Sequence, residues 1–299
     1  MSDDLVEPRK VDIVYETETP VLYEVEGAVA WITLNRPDFN NAQNGQMTYA
    51  LDDAFNRAVQ DDAVRAIVLA GNGKHFSAGH DIGTPGRDVH KHFENRLMVP
   101  GHVNKPAAEL LYTREQEQYL GMCRRWRDIS KPTVAMVQGA CIAGGLMLAW
   151  VCDIIIASDD AFFQDPVNRM GIPGVEYFAH AFELPPRIAK EFLLLGERMS
   201  AQRAEQFGMV NRIVSRDELS ATAADVAARL AAQPRLGNWL TKQAINHVEE
   251  LRGKRNAMDA VFHMHHFAHA QNDLVQGSAI AGLGAKEMAA ANKKQAGES

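Results

Sequence analysis

The chain has 299 residues, 46% hydrophobic and 23% charged, which excludes a disordered or fibrous protein and suits one main globular domain with a smaller helical appendage. A formal charge of −7 excludes a broad phosphate-binding surface, because nucleic-acid affinity needs clustered Lys and Arg. Cys123, Cys141 and Cys152 lack paired-motif spacing and the N-terminal MSDDLVEPRK lacks an apolar signal core, so the expectation is a cytoplasmic protein without nucleic-acid or membrane partners.

Residues 1–19 read as a polar lead-in. Val21 to Leu34 reads as two strands around Glu26-Gly27, the second alternating like a half-buried strand. Met47, Ala50, Leu51, Ala54, Phe55, Ala58 and Val59 then recur at the helical period, and Ala66 to Ala70 is an apolar strand. Residues 83 to 112 are irregular and read as a mobile loop beside a site, because loops of that length are commonly functional. Thr113 to Ile129 has helical character, ended by Lys131-Pro132.

Val134 to Ala157 is apolar enough to suggest a membrane span, but Asp153 and the glycines 139, 144 and 145 argue for a strand, a glycine-rich turn, a buried helix and another strand. Beyond Pro185 the expectation is helical: Arg187 to Leu195, then Ser200 to Phe207 with Ser200 as N-cap and Gly208 as terminating glycine. After a strand within Met209 to Val214, helices follow at about 217–232, 236–252 and 255–271, with a charged tail from Lys286. The domain reading is a lead-in over 1–19, an α/β core over 20–215 and a helical region over 216–299.

Two glycine turns carry the chemical signal. Phe76-Ser77-Ala78-Gly79-His80-Asp81-Ile82 and Gly139-Ala140-Cys141-Ile142-Ala143-Gly144-Gly145 each follow a strand and precede a helix. Small residues allow close backbone approach, and N–H groups at a helix start have no intrahelical partner, so two such turns can aim two donors at one oxygen. Taken singly, either turn is also an ordinary tight connection. Neither has dinucleotide or P-loop spacing.

These turns, with Trp31-Ile32-Thr33-Leu34-Asn35-Arg36-Pro37, Cys152-Asp153-Ile154 and Ala201 to Val210, resemble the successive signatures of the crotonase, or enoyl-CoA hydratase/isomerase, family. The resemblance spans about Val21 to Ser215. It implies an α/β spiral of β-β-α units with a C-terminal helical trimerisation region, assembled as a homotrimer or hexamer. It further implies an acyl-CoA thioester as substrate, no separate cofactor, and an enolate oxyanion held by the backbone N–H groups of His80 and Gly144. Arg36, Phe39, Asn40, Ala78, Asp81, Ile82, Ile142, Pro166 and Val167 are the implied substrate- and CoA-binding positions.

The pattern departs from the family at its acid/base residues. The two glutamates of the family's hydratases correspond to Met147 and Val167, neither of which transfers a proton. Asp165 and Glu176 stand as candidate replacements, against the plainer readings of a turn residue and a solvated charge; Tyr177 and His180 lie in the same segment. His80, with Pro166-Val167-Asn168, is similar to methylmalonyl-CoA decarboxylases, although Gly174 follows Pro173 where those carry a tyrosine. Acyl-CoA decarboxylation and a non-catalytic acyl-CoA scaffold therefore stand as alternatives.

His263, His265, His266 and His269 share one expected helix. His265 and His269 are spaced to chelate, but no Glu or Cys completes a recognised metal signature, so the reading is helix or subunit packing and no metal. Lys286 and Lys293 read as CoA-phosphate partners or surface charge.

Overall fold

In the computed structural model, which describes residues 19–83, 88–280, Glu287 and Ala290, alternation and period translate directly into two packed faces. Strands β1 (Val21–Glu26) and β2 (Val29–Leu34) form an antiparallel hairpin through Gly27, whose φ of 57° is one that glycine adopts without strain. Helix α1 (Gly45–Gln60) follows, its N-terminus capped by the Asn44 side chain and by Asp88, which accepts from the N–H groups of Gly45 and Gln46. Strand β3 (Ala66–Gly71) lies parallel to β2.

The next stretch is only partly irregular. Helix α2 (Ala107–Glu115) begins earlier than the Thr113 start expected, continues through a π-helical segment (Gln116–Gly121) and ends as α3 (Met122–Arg127). Residues 84–87, inside the expected mobile loop, lie outside the described residues. Strands β4 (Thr133–Val137) and β5 (Ala140–Ile142), helix α4 (Gly144–Trp150) and strands β6 (Ile154–Ser158) and β7 (Phe162–Gln164) follow. The apolar stretch that imitates a membrane span is thus a strand–turn–helix–strand unit. No helix among the described residues is long and apolar enough to cross a membrane.

Short helices α5 (His180–Glu183) and α6 (Pro186–Leu195), strand β8 (Met199–Ser200), helix α7 (Ala201–Gln206) and strand β9 (Arg212–Val214) complete the central region. Ser200 caps α7 by accepting from the Arg203 N–H, and Gly208 has a φ of 79°, as its position predicts. Three long helices end the fold: α8 (Leu219–Ala232), α9 (Arg235–Leu251) and α10 (Lys254–Gln276). The Lys286 to Ser299 tail, including Lys286 and Lys293, lies outside the described residues apart from Glu287 and Ala290.

The main sheet runs β1-β2-β3-β4-β6-β9, parallel after the first hairpin, and a smaller sheet runs β5-β7-β8. Along β2 and β3 the side chains divide by period two. Ala30, Ile32, Leu34, Ile67 and Leu69 enter the large core with α1, α3 and α4, whereas Val29, Ala66 and Val68 pack with Leu219, Ala223 and Val226 of α8. Charged pairs fasten the last two helices: Arg127 to Glu249 and Glu250, Lys254 to Glu183, and Lys242 to Asp153. The C-terminal region therefore covers the core as well as extending beyond it.

Candidate active site

The two glycine turns lie side by side, joined by backbone hydrogen bonds. Phe76 N–H donates to Gln138 O at 2.8 Å, Ser77 N–H to Ala140 O at 3.1 Å and Ile142 N–H to Ser77 O at 3.0 Å. Their approach leaves no room for side chains: a Cβ on Gly79 would stand 2.8 Å from the Ile142 carbonyl oxygen, and one on Gly145 would stand 2.6 Å from that of Ser77. Gly79 has a φ of 92°. Ala143, with φ 48° and ψ −112°, holds a backbone conformation suited to glycine at a cost of about 1–3 kcal/mol, strain that collects at functional sites.

That bend sets Gly144 as the first residue of α4, where its N–H has no intrahelical acceptor. Across from it, Gln43 pairs with both neighbours of His80: its N–H donates to Gly79 O and its carbonyl accepts from Asp81 N–H, each at 2.8 Å. Among the described residues, neither the His80 N–H nor the Gly144 N–H has a hydrogen-bond partner. The His80 ring stacks on Tyr119 at a centroid distance of 3.8 Å and lies against Gly144, where an added Cβ would meet His80 Nε2 at 2.6 Å. Burial lowers the imidazole to about 3, which keeps it neutral.

Of the residues read as a CoA-binding wall, those of the 36–41 segment and of the 78–82 turn are joined to one another. Asn40, in the left-handed region at φ 51°, accepts from the Ala78 N–H at 2.9 Å. Arg36 is buried, donates to the Asp81 carboxylate at 3.0 Å and stacks on Phe39 at 4.6 Å. The structure thus places Arg36 and Asp81 as a brace behind the wall, while Asn40 is exposed and Phe39, Ala78 and Ile142 are partly exposed. Ile82 and Val167 pack with Met170 and Ile172. Pro166 is buried beside Asp165, and Met147 is buried within α4.

The candidate carboxylates separate clearly. Asp165 is fully buried and saturated: one oxygen meets His180 Nε2 at 2.8 Å and accepts from Val175 N–H, and the other accepts from Val167 N–H. It ties the 165–180 segment together. Glu176 is buried but differently used. Its Oε1 lies 3.6 Å from His80 Nδ1, and its Oε2 has no hydrogen-bond partner among the described residues. Burial, with Glu115 nearby, pushes its carboxyl up to about 8, so it holds a proton at neutral pH. Tyr177 is buried in the core, and burial raises its phenol well above the usual range.

Sequence reasoning missed Tyr119, Glu115 and the reach of α10. The π-helical segment carries Tyr119 to its stack on His80; such segments often mark functional sites. Glu115 Oε2 lies 3.4 Å from His265 Nε2 and 3.3 Å from His266 Nε2, and His265 Nε2 is 3.8 Å from Glu176 Oε1. The i, i+4 spacing of His265 and His269 was the available signal, but a linear sequence does not show which carboxylates meet it. His263 instead faces Tyr112 with its ring 6.1 Å away.

Glu115, His265 and His269 offer ligand atoms within 4.8 Å of one another. The two imidazole Nε2 atoms, however, are 2.9 Å apart, a hydrogen-bond length. Two nitrogens bound tetrahedrally to one ion at about 2.0–2.1 Å stand about 3.3 Å apart, so the arrangement fits a shared proton better than a metal.

The family whose model matches is Enoyl-CoA hydratase/isomerase, over residues 24–98 and 102–282. The chain is 38% identical over 264 residues to EchA13 of Mycobacterium tuberculosis, named as an enoyl-CoA hydratase, covering 85% of this chain and 81% of that one. It is 33% identical to the 1,2-epoxyphenylacetyl-CoA isomerase of Escherichia coli, covering 77% and 82% respectively. A crystal structure described as a probable enoyl-CoA hydratase from Mycobacterium smegmatis superposes with a TM-score of 0.79 at 42% identity, covering 88% of this chain and all of that one.

Proposed function

The chain belongs to the enoyl-CoA hydratase/isomerase family and has its crotonase fold, and from that premise we propose that it is an acyl-CoA enzyme that moves a proton on a thioester enolate with one carboxyl group, Glu176. The His80 and Gly144 N–H groups hold the enolate oxygen. Glu176 takes a proton from one carbon of the acyl group and returns it to another, a double-bond isomerisation.

The observation that carries this reading is Glu176 itself: buried, one oxygen without a hydrogen-bond partner among the described residues, and within 3.6 Å of the His80 ring. In the family's hydratases the activation of water and the protonation of carbon are divided between two glutamates. Asp165 is already saturated by His180 and two N–H groups, Met147 and Val167 carry no proton, and His80 is too weak a base when held near 3. A 1,3-proton shift needs only one carboxyl that gains and loses its proton near neutral pH. Glu176, pushed up to about 8, meets that need.

CoA is assigned to the loop from Arg36 to Asn41 and the turn from Ala78 to Ile82, with Arg36 and Asp81 holding the loop shape from behind. CoA enters with the substrate and no separate cofactor is assigned. Exposed apolar residues on the last helices, among them Leu240, Val248, Leu251, Phe267 and Leu274, support self-association as a homotrimer or hexamer, tested by light scattering after gel filtration.

The activity test offers 3-enoyl-CoA, crotonyl-CoA and methylmalonyl-CoA to the purified chain. Conversion of the 3-enoyl to the 2-enoyl thioester is the expected result. Loss of the crotonyl absorbance alone would overturn isomerisation in favour of hydration, and CO2 release alone in favour of decarboxylation. Binding of acyl-CoA with no turnover of any of the three would favour the scaffold.

A further inference from the structure

His265 and His269, one turn apart on α10, point their Nε2 atoms at each other across 2.9 Å. Their Nδ1 atoms are both committed: His265 Nδ1 stands 2.8 Å from the Gly174 carbonyl oxygen and His269 Nδ1 stands 2.6 Å from that of Ala279. A carbonyl oxygen only accepts, so both Nδ1 atoms carry hydrogen. In two neutral rings the Nε2 atoms would then be opposed lone pairs. One added proton between them makes an ordinary N–H···N hydrogen bond.

We infer that His265 and His269 share one proton, and that the resulting cation is the counter-charge that sets the proton affinity of Glu176. Resting on the acid/base reading of Glu176 above, this makes His265 a positioning residue that acts through that carboxyl.

The groups facing the pair balance it. Glu115 from α2 places Oε2 3.4 Å from His265 Nε2, and Glu176 places Oε1 3.8 Å from the same atom. The His266 ring lies 5.4 Å from that of His265 and 5.8 Å from that of His269, and burial lowers its imidazole to about 4, which leaves it neutral. His80, on the far side of Glu176, is neutral as well. Asp165, the other carboxylate of the segment, is committed to His180.

Burial opposes charge on both Glu115 and His265, but each overcomes it through the other: the histidines draw Glu115 down to about 2, while Glu115, joined by Glu176 once that carboxyl ionises, holds His265 up at about 9. Glu176 is then the protonated carboxyl beside an ionised Glu115 and a charged histidine pair, with the buried Arg114 next to Glu115 in sequence. When it gives up its proton, the new carboxylate has a cation 3.8 Å away. A cleft lined by Ala107, Leu111, His266, His269 and Asp273 reaches the pair on its His269 side.

The test is nuclear magnetic resonance of the full chain, nitrogen for the imidazoles and carbon for the Glu176 carboxyl. Near neutral pH the His265 and His269 rings are expected to carry one positive charge together, with both Nδ1 atoms protonated. His265→Asn should raise the Glu176 midpoint by about one pH unit or more, and Glu115→Gln should lower it by a similar amount, because an opposite or like charge at this distance shifts a carboxyl in those directions. The double variant should return toward the wild-type value.

Where the enzyme turns over, the midpoint in kcat/KM should move with the carbon signal. Two neutral rings in the wild-type protein, shifts of one sign in both variants, or stoichiometric zinc lost on changing either histidine would each overturn the inference. Intact midpoint shifts with no effect of Glu176 on turnover would instead sink the acid/base reading, so the two failures are distinguishable.

Discussion

On one side of the site, the turns ending at Gly79 and Ala143 meet backbone to backbone, through hydrogen bonds of 2.8 to 3.1 Å and contacts with no room for a Cβ. On the other side, Glu115, Glu176 and His265 come from separated segments and meet only through side chains, at 3.4 and 3.8 Å. The first side fixes two N–H directions and is indifferent to pH. The second is a set of buried charges whose protonation each member sets for the others. On the proposed reading, a site assembled this way keeps its means of holding an enolate while the identity of its proton carrier changes.

The largest expected effect comes from removing the proposed proton carrier. Glu176→Gln preserves shape and should lower kcat by about 10²- to 10⁴-fold, while the Kd for CoA, read by calorimetry, stays within a few-fold. Equal losses in CoA binding and turnover would show that Glu176 only supports the fold. Gly144→Ala attacks the other side. Its methyl group would meet the His80 ring at 2.6 Å and approach the Gln43 side-chain oxygen at 3.2 Å, and relieving that clash by a shift of about 1 Å in a positioned group costs about 10²-fold in turnover. An unchanged rate would remove this turn from the chemistry.

The legibility of the two sides differs for the same physical reason. The strands β2, β3, β4 and β6 follow local alternation and apolar runs, and both glycine turns are contiguous in sequence, so their geometry is written in neighbouring residues. Ser200 and Gly208 were legible as helix ends because capping is also local. The short strands β5, β7 and β8 were not, since two or three residues give no readable period.

Nor was the start of α2 at Ala107, or the π-helical segment that turns Tyr119 onto His80. His265 and His269 were read as packing because their carboxylate neighbours lie far away in the chain. Glu176 reads in sequence as either a solvated charge or a base, and its burial removes the first of these.

A pH series separates the two sides by a smaller effect. The proposed isomerisation would begin with Glu176 ionised, so kcat/KM should rise about tenfold per pH unit below the midpoint near 8 and level above it. A falling limb through the same midpoint would mean that the protonated form starts the reaction, as hydration or enolate protonation after decarboxylation requires.

Stability should run the other way. Because the folded-state value of Glu176 lies above its ordinary 4.5, its protonation favours the fold fully below about 4.5, and that contribution is lost as pH rises through about 8. His265 adds the same sign, present below 6.5 and lost through about 9, whereas Glu115 contributes above 4.5 and loses its share as pH falls toward 2. Thermal midpoints of wild type and Glu176→Gln should therefore diverge as pH rises from 6 to 9, the wild type falling below the neutral variant.

Asp165→Asn should have the smallest effect on turnover and so gives the sharpest contrast with Glu176. Both are buried acids of one segment, and burial alone does not distinguish them. Their partners do. Asp165 receives the Val167 and Val175 N–H groups at 3.3 Å and His180 Nε2 at 2.8 Å. An asparagine NH2 would turn one of those acceptors into a donor facing a donor, which costs about 1–3 kcal/mol of stability. Turnover per folded molecule should stay within a few-fold, and the pH midpoint of kcat/KM should fall only slightly, since Glu176 remains and Asp165 is the smallest of the charges that raise it. A 100-fold fall in turnover at unchanged thermal midpoint would reverse the assignment and make Asp165 the proton carrier.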